Sequence, residues 1–148
     1  MKNEFNDLVS SVLGDFLSKH AFRFAESRSN TGGDLVSVVF ESDQCKLRLY
    51  DSRRAGEVNC LVGRLDASNE SDWTDKRSGW YHLRGLLEIG KGLSLEELQK
   101  LVGPPVTDRR EQLVQLRDLL DSAFEKALLK LQEKSCLIRT RKIYKFQA

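Results

Sequence analysis

The sequence predicts an α+β domain: an N-terminal helix, a four-stranded antiparallel β-meander, and two or three C-terminal helices packed on the sheet. Three observations carry that expectation. Apolar residues recur with helical spacing before residue 20. Between residues 22 and 65 the spacing switches to period two. After residue 80 it becomes helical again. Strands and helices segregated along the chain are the mark of α+β architecture.

Phe5, Leu8, Val9, Val12, Leu13, Phe16 and Leu17 follow the i, i+3, i+4, i+7 rule, giving one apolar stripe. Asn3 or Asn6 is the expected N-cap, and the helix should end near Lys19 or His20. Phe22 and Phe24 then alternate with Arg23 and Ala25, and "SNTGGD" supplies turn residues. "LVSVVFE", Leu35 to Glu41, is rich in β-branched residues and reads as a well-buried strand. In "CKLRLY", Cys45, Leu47 and Leu49 face one way and Lys46, Arg48 and Tyr50 the other. "EVNCLVGRL" alternates less cleanly, and Gly63 reads as a bulge. Short connections favour antiparallel neighbours.

Residues 66 to 79, "DASNESDWTDKRSG", are polar and aperiodic. Loops of that length in compact domains are usually functional or mobile. Trp80, Leu83 and Leu87 then share helical spacing. "SLEELQKLVG" carries a capping box, Ser94 with Glu97, and stops at Gly103 before Pro104-Pro105. Leu113, Leu116, Leu120, Phe124, Leu128 and Leu131 stripe the longest helix, with Thr107 or Asp108 as its cap. Residues 1–133 read as one domain, and 134–148 as a basic tail or short edge strand.

Charge is unevenly distributed. The 148 residues carry a formal net charge of +2, but residues 134–148 hold five basic side chains and no acid. Without those five, 19 basic residues face 22 acidic ones, a net of −3. A nucleic-acid-binding domain more often spreads its basic surface through the fold. No apolar run approaches the ~20 residues a membrane-spanning helix needs. Cys45, Cys60 and Cys136 are too few and too scattered for a disulfide framework, and no CxxC is present. These features predict a cytoplasmic protein with no membrane association.

Motifs that carry chemistry are scarce in the chain. No GxSxG elbow, HExxH, calcium loop or phosphate-loop glycine pattern occurs, so no catalytic residue, metal ligand or cofactor is assigned. A Cys60–His82–Asp72 triple can be drawn, but Cys60 in a strand reads as a core residue. "GKGLS" with Lys91 has only the weak character of an anion-binding turn. Arg53 and Arg54 are the candidate anion-binding residues. Flanked by Asp51 and Glu57, which can neutralise them, they read first as a solvated hairpin tip with Gly56 in a φ > 0 position.

The aperiodic loop is the more informative segment. Asp66, Glu70, Asp72 and Asp75 surround Trp73, which no periodicity requires. An aromatic anchor among carboxylates suits a basic protein partner. The leading expectation is therefore a non-enzymatic protein-interaction domain whose partner-binding residues are Asp66, Glu70, Asp72, Trp73 and Asp75. Its profile is that of a bacterial antitoxin-like inhibitor or immunity protein. Two alternatives stand beside it: nucleic-acid binding through the basic tail and the Arg53/Arg54 tip, and an enzyme with a carboxylate site that no motif marks. The pattern leaves monomer and homodimer equally open.

Overall fold

A computed structural model of the chain describes residues 4–30, 32–69, 78–88, 94, 96–97, 100 and 106–147; beyond residue 134 the description is of the backbone. The element order is α1 (Glu4–Lys19), β1 (Arg23–Ser29), β2 (Leu35–Glu41), β3 (Lys46–Ser52), β4 (Glu57–Gly63), β5 (Trp80–His82), α2 (Leu83–Leu86) and α3 (Arg109–Gln147). The five strands form one antiparallel meander in the order β1-β2-β3-β4-β5. The fold is α+β, as the periodicity predicts.

α1 buries the stripe read from sequence: Phe5, Val9, Val12, Leu13, Phe16 and Leu17. Asn6 lies inside its first turn and is not the cap; Asn3 falls outside the described residues. The helix stops at a left-handed Ala21 (φ 58°), where Phe22 N–H donates to the Leu17 carbonyl at 2.8 Å and Ala21 N–H to Ser18 at 3.2 Å. Those two bonds satisfy carbonyls the helix end would otherwise leave unpaired.

α1 and α3 pack on one face of the sheet. Val38 and Phe40 of β2, Leu47 and Leu49 of β3, and Val58, Cys60 and Val62 of β4 meet Leu113, Leu116, Leu120, Phe124 and Leu128 of α3 in the main core. Asp108 begins α3: its carboxylate accepts from Glu111 N–H at 3.1 Å. A single side chain couples α3 to the β3–β4 hairpin. Gln112 Oε1 accepts from Val58 N–H at 2.7 Å, while its Nε2 donates to the carbonyl of Gly56 at 3.3 Å.

Four sequence expectations change. β1 runs on to Ser29, with a bulge between Phe24 and Glu26 that interrupts its alternation. Trp80, Tyr81 and His82 form a fifth strand on β4, and the helix expected there shrinks to the single turn Leu83–Leu86. Gly63 is not a bulge; it pairs in unbroken register with Lys46 and Trp80. Residues 134–147, read as a tail or an edge strand, continue α3 as helix through Gln147. Ser94 Oγ does accept from Glu97 N–H at 3.2 Å, but the rest of that short helix lies outside the described residues.

Candidate functional site

Period-two alternation gives the sheet a second face, opposite the helices. It carries Ser37 and Val39 from β2, Lys46, Arg48 and Tyr50 from β3, Asn59 and Leu61 from β4, and Trp80 and His82 from β5. No helix covers it among the described residues; the chain leaving β4 folds back over it instead. Val39, Leu61, Ala67 and Trp80 form a small apolar cluster there, with Tyr50 packed against it.

The central cation of this face is Arg48, which is fully buried. Its Nη1 donates to Ser37 Oγ at 3.3 Å and its Nη2 to the Asn69 carbonyl at 2.8 Å. The guanidinium lies 4.7 Å from the centroid of the Trp80 ring, a cation–π distance. Desolvation lowers its pKa from 12.5 to about 10, partly offset by the charge of Glu26. Lys46 stands next to it, also buried. Its Nζ donates to the Ala67 carbonyl at 2.7 Å and to Asn69 Oδ1 at 3.1 Å, and lies 3.5 Å from Glu41.

Trp80 is the third tie. Its ring lies against Gly63, where an added Cβ would stand 2.6 Å away. Its Nε1 donates to the Ser68 carbonyl at 2.9 Å. The segment closes on itself: Arg64 N–H donates to the Gly79 carbonyl at 3.0 Å, and Gly79 takes φ +84°. The acidic stretch therefore leaves and returns at one point at the end of β4, with residues 67–69 held to the sheet by Lys46, Arg48 and Trp80.

Of the predicted partner-binding residues, Asp66 is at the start of this segment, exposed, with its Oδ1 3.4 Å from Arg64 Nε. Glu70, Asp72, Trp73 and Asp75 lie outside the described residues, as does Lys91 of the candidate anion turn. Arg53 and Arg54 are exposed at the β3–β4 tip. There Gly56, at φ +63°, donates to the Arg53 carbonyl at 3.3 Å, and Arg53 N–H reaches the Asp34 carbonyl at 2.8 Å. β4 runs from that tip to Gly63, a span of ~20 Å at strand rise. The arginine tip and the described base of the acidic segment, residues 64–69, thus sit at opposite ends of β4. α3 begins beside the tip, where Arg109 pairs with the buried Asp51 at 2.7 Å. Its basic turns are at its far end, so tip and tail do not converge either.

The cysteine triple drawn from sequence does not assemble. Cys60 is fully buried in the main core, whereas His82 pairs with Leu61 on the opposite face. Burial pushes the Cys45 thiol up to about 12 and raises Cys60 further, so both stay protonated near neutral pH. Tyr50 and His82 approach on the polar face with ring centroids 6.3 Å apart. Burial and the charge of Glu57 raise the Tyr50 pKa.

Comparison with protein-family models, with curated proteins and with solved structures finds no match.

Sequence reading missed Lys46 and Arg48. Their alternation with Leu47 and Leu49 places them on the second face, and a second face with no helix over it reads as solvated. The overlooked clue was Trp80 two strands away: an aromatic on that same face needs cover, and cover buries its cationic neighbours.

Proposed function

We propose that the protein is a non-enzymatic interaction domain that binds a basic protein partner through the segment carrying Asp66, Glu70, Asp72, Trp73 and Asp75, in the manner of a cytoplasmic antitoxin or immunity-type inhibitor. One observation carries the reading. The acidic stretch springs from a closed base, with Arg64 bonded to Gly79 and residues 67–69 strapped down by Lys46, Arg48 and Trp80. A binding segment on a rigid base loses less entropy on association than one on a free loop. The cations at that base use their charge inward, on main-chain carbonyls, while Asp66 projects outward. Free, buried Cys45 and Cys60 are in keeping with a reducing compartment.

The test is a partner recovered with the native chain and purified as a complex. Charge reversal by Asp72→Lys with Asp75→Lys should weaken that complex and slow its formation. Unchanged affinity and rate would remove the segment from the interface.

A second reading draws on the helical continuation of α3 through Gln147. It sets Lys134, Arg139, Arg141, Lys142 and Lys145 on one rod, a form that suits contact with a phosphate backbone. This reading predicts steeply salt-dependent binding to duplex DNA or RNA that is lost on deleting residues 134–148. No binding at low salt would discard it.

A further inference from the structure

The tip of the β3–β4 hairpin and the first turn of α3 are joined at one end of the sheet. Ser52 Oγ accepts from Ala55 N–H at 3.3 Å and the Arg53 carbonyl from Gly56 N–H at 3.3 Å, so the tip closes on itself. Gln112 then locks the tip to α3. Its Nε2 donates to the Gly56 carbonyl at 3.3 Å and to the Thr107 carbonyl at 3.2 Å, and its N–H donates to the Asp108 carbonyl at 3.0 Å. Arg53 and Arg54 therefore stand beside the start of α3, whose first residue is Arg109.

Arg109 is held from below. Its Nε lies 2.7 Å from Asp51 Oδ2; the Asp51 side chain is 5% exposed and that of Arg109 46%. A carboxylate so deeply placed fixes the guanidinium without competing for its outer donors. The Nη groups of Arg109 have no partner among the described residues, and neither do the exposed side chains of Arg53 and Arg54.

The placement also runs against local preference. Arg109 and Arg110 are the first two residues of α3, where the partial positive charge of a helix N-terminus disfavours cations. Three acids at this end are already engaged. The Asp108 carboxylate accepts from Glu111 N–H at 3.1 Å, Glu57 accepts from Asn59 Nδ2 at 2.7 Å, and Asp51 pairs with Arg109. A local rule broken without a compensating contact is the pattern of a functional site.

We propose that Arg109, Arg53 and Arg54 form a binding corner for a single phosphate group. The planar guanidinium fork matches phosphate oxygens two at a time, and the buried Asp51 sets the orientation of the Arg109 fork before any anion arrives. Asp34, Asp51, Glu57, Asp108 and Glu111 share this end with the arginines, so there is no broad positive field to attract a polyanion. The ligand class is therefore a phosphomonoester or diphosphate, and not the length of a nucleic-acid backbone.

Pyrophosphate and a short single-stranded DNA without terminal phosphates are the two probes, each titrated into the isotope-labelled full chain at constant ionic strength. Pyrophosphate should shift the amide signals of Arg53, Arg54, Gly56 and Arg109 along one saturable curve, and the DNA should give no saturable shift. Arg53→Gln/Arg54→Gln and Arg109→Gln should each weaken pyrophosphate binding by roughly tenfold or more, the loss of a charge-assisted hydrogen bond. Arg117→Gln, remote from the corner, should leave it unchanged. The tip variant keeps the Asp51 and Gln112 contacts, so it decides the matter if Arg109→Gln does not fold. Absence of a saturable shift with pyrophosphate overturns the proposal. So does saturable binding that the tip variant leaves intact, or DNA binding at the corner tighter than that of pyrophosphate.

Discussion

Arg48, wholly buried on the central strand, donates a 2.8 Å hydrogen bond to the main-chain carbonyl of Asn69, one residue before the acidic stretch continues at Glu70. That bond ties the central strand of the sheet to the segment proposed to bind the partner. Arg48→Ala removes it together with the bond to Ser37 and the contact with Trp80. A hydrogen bond to a charged group contributes about 1.5–3 kcal/mol, and a desolvated cation–π contact up to about 2. The variant should lose stability in urea denaturation by about 2–4 kcal/mol on those figures. Arg48→Met should recover part of the loss by filling the volume.

Gly63 and Trp80 make a second, independent test. A Cβ at residue 63 would stand 2.6 Å from the ring, and the ring has strand on one side and residues 67–69 on the other. Gly63→Ala should cost about 1–3 kcal/mol, the usual range for overpacking. In a Trp73→Phe background, the emission of Trp80 should shift to longer wavelength as the ring is pushed toward water. An unaltered spectrum would mean the ring has room the structure does not show.

Gln112 joins α3 to the hairpin through Val58 N–H and the Gly56 carbonyl. Gln112→Ala leaves a partly buried N–H without its acceptor, a loss of about 1–3 kcal/mol. Thermal melts should register it, and amide exchange should speed up at Val58 before it does in β2.

Alkaline pH should weaken the fold through the core thiols. Cys45 is raised from 9.0 to about 12 and Cys60 is raised as well, both by burial. An acid with a raised folded-state pKa contributes stability that is complete below its unfolded value and lost as pH climbs through the folded one. Urea midpoints should therefore fall from pH 9 toward pH 12. The fall should be shallower in Cys45→Ala/Cys60→Ala. In a Cys136→Ala background, neither remaining thiol should react with a thiol reagent until the chain unfolds.

The fold was legible wherever one side of an element meets the core. Phe5 to Leu17 repeat at 3.6 residues because α1 buries one stripe, and Cys45, Leu47 and Leu49 alternate because β3 buries one face. Legibility failed where that condition lapses. β1, "RFAESRS", is an exposed edge strand with a bulge, so nothing in its apolar pattern marks where it ends. Trp80 and Leu83 share helical spacing, yet Trp80 lies in the small cluster on the second face and Leu83 in the main core. A three-residue strand running into a single helical turn produces that spacing by coincidence. The acidic segment was recognisable as a segment, since Asp66 to Gly79 breaks both periods. Its anchoring was not, because Lys46 and Arg48 look like solvent-facing charges until the chain that covers them is placed.

Association kinetics show whether this acidic segment steers and holds a basic partner. With the partner purified from the native cell, the association rate should fall steeply with added salt. Asp72→Lys/Asp75→Lys should lower it at low salt by roughly tenfold or more, within the range of electrostatic steering. An association rate that neither salt nor the double reversal changes would mean that the acidic segment does not steer the partner.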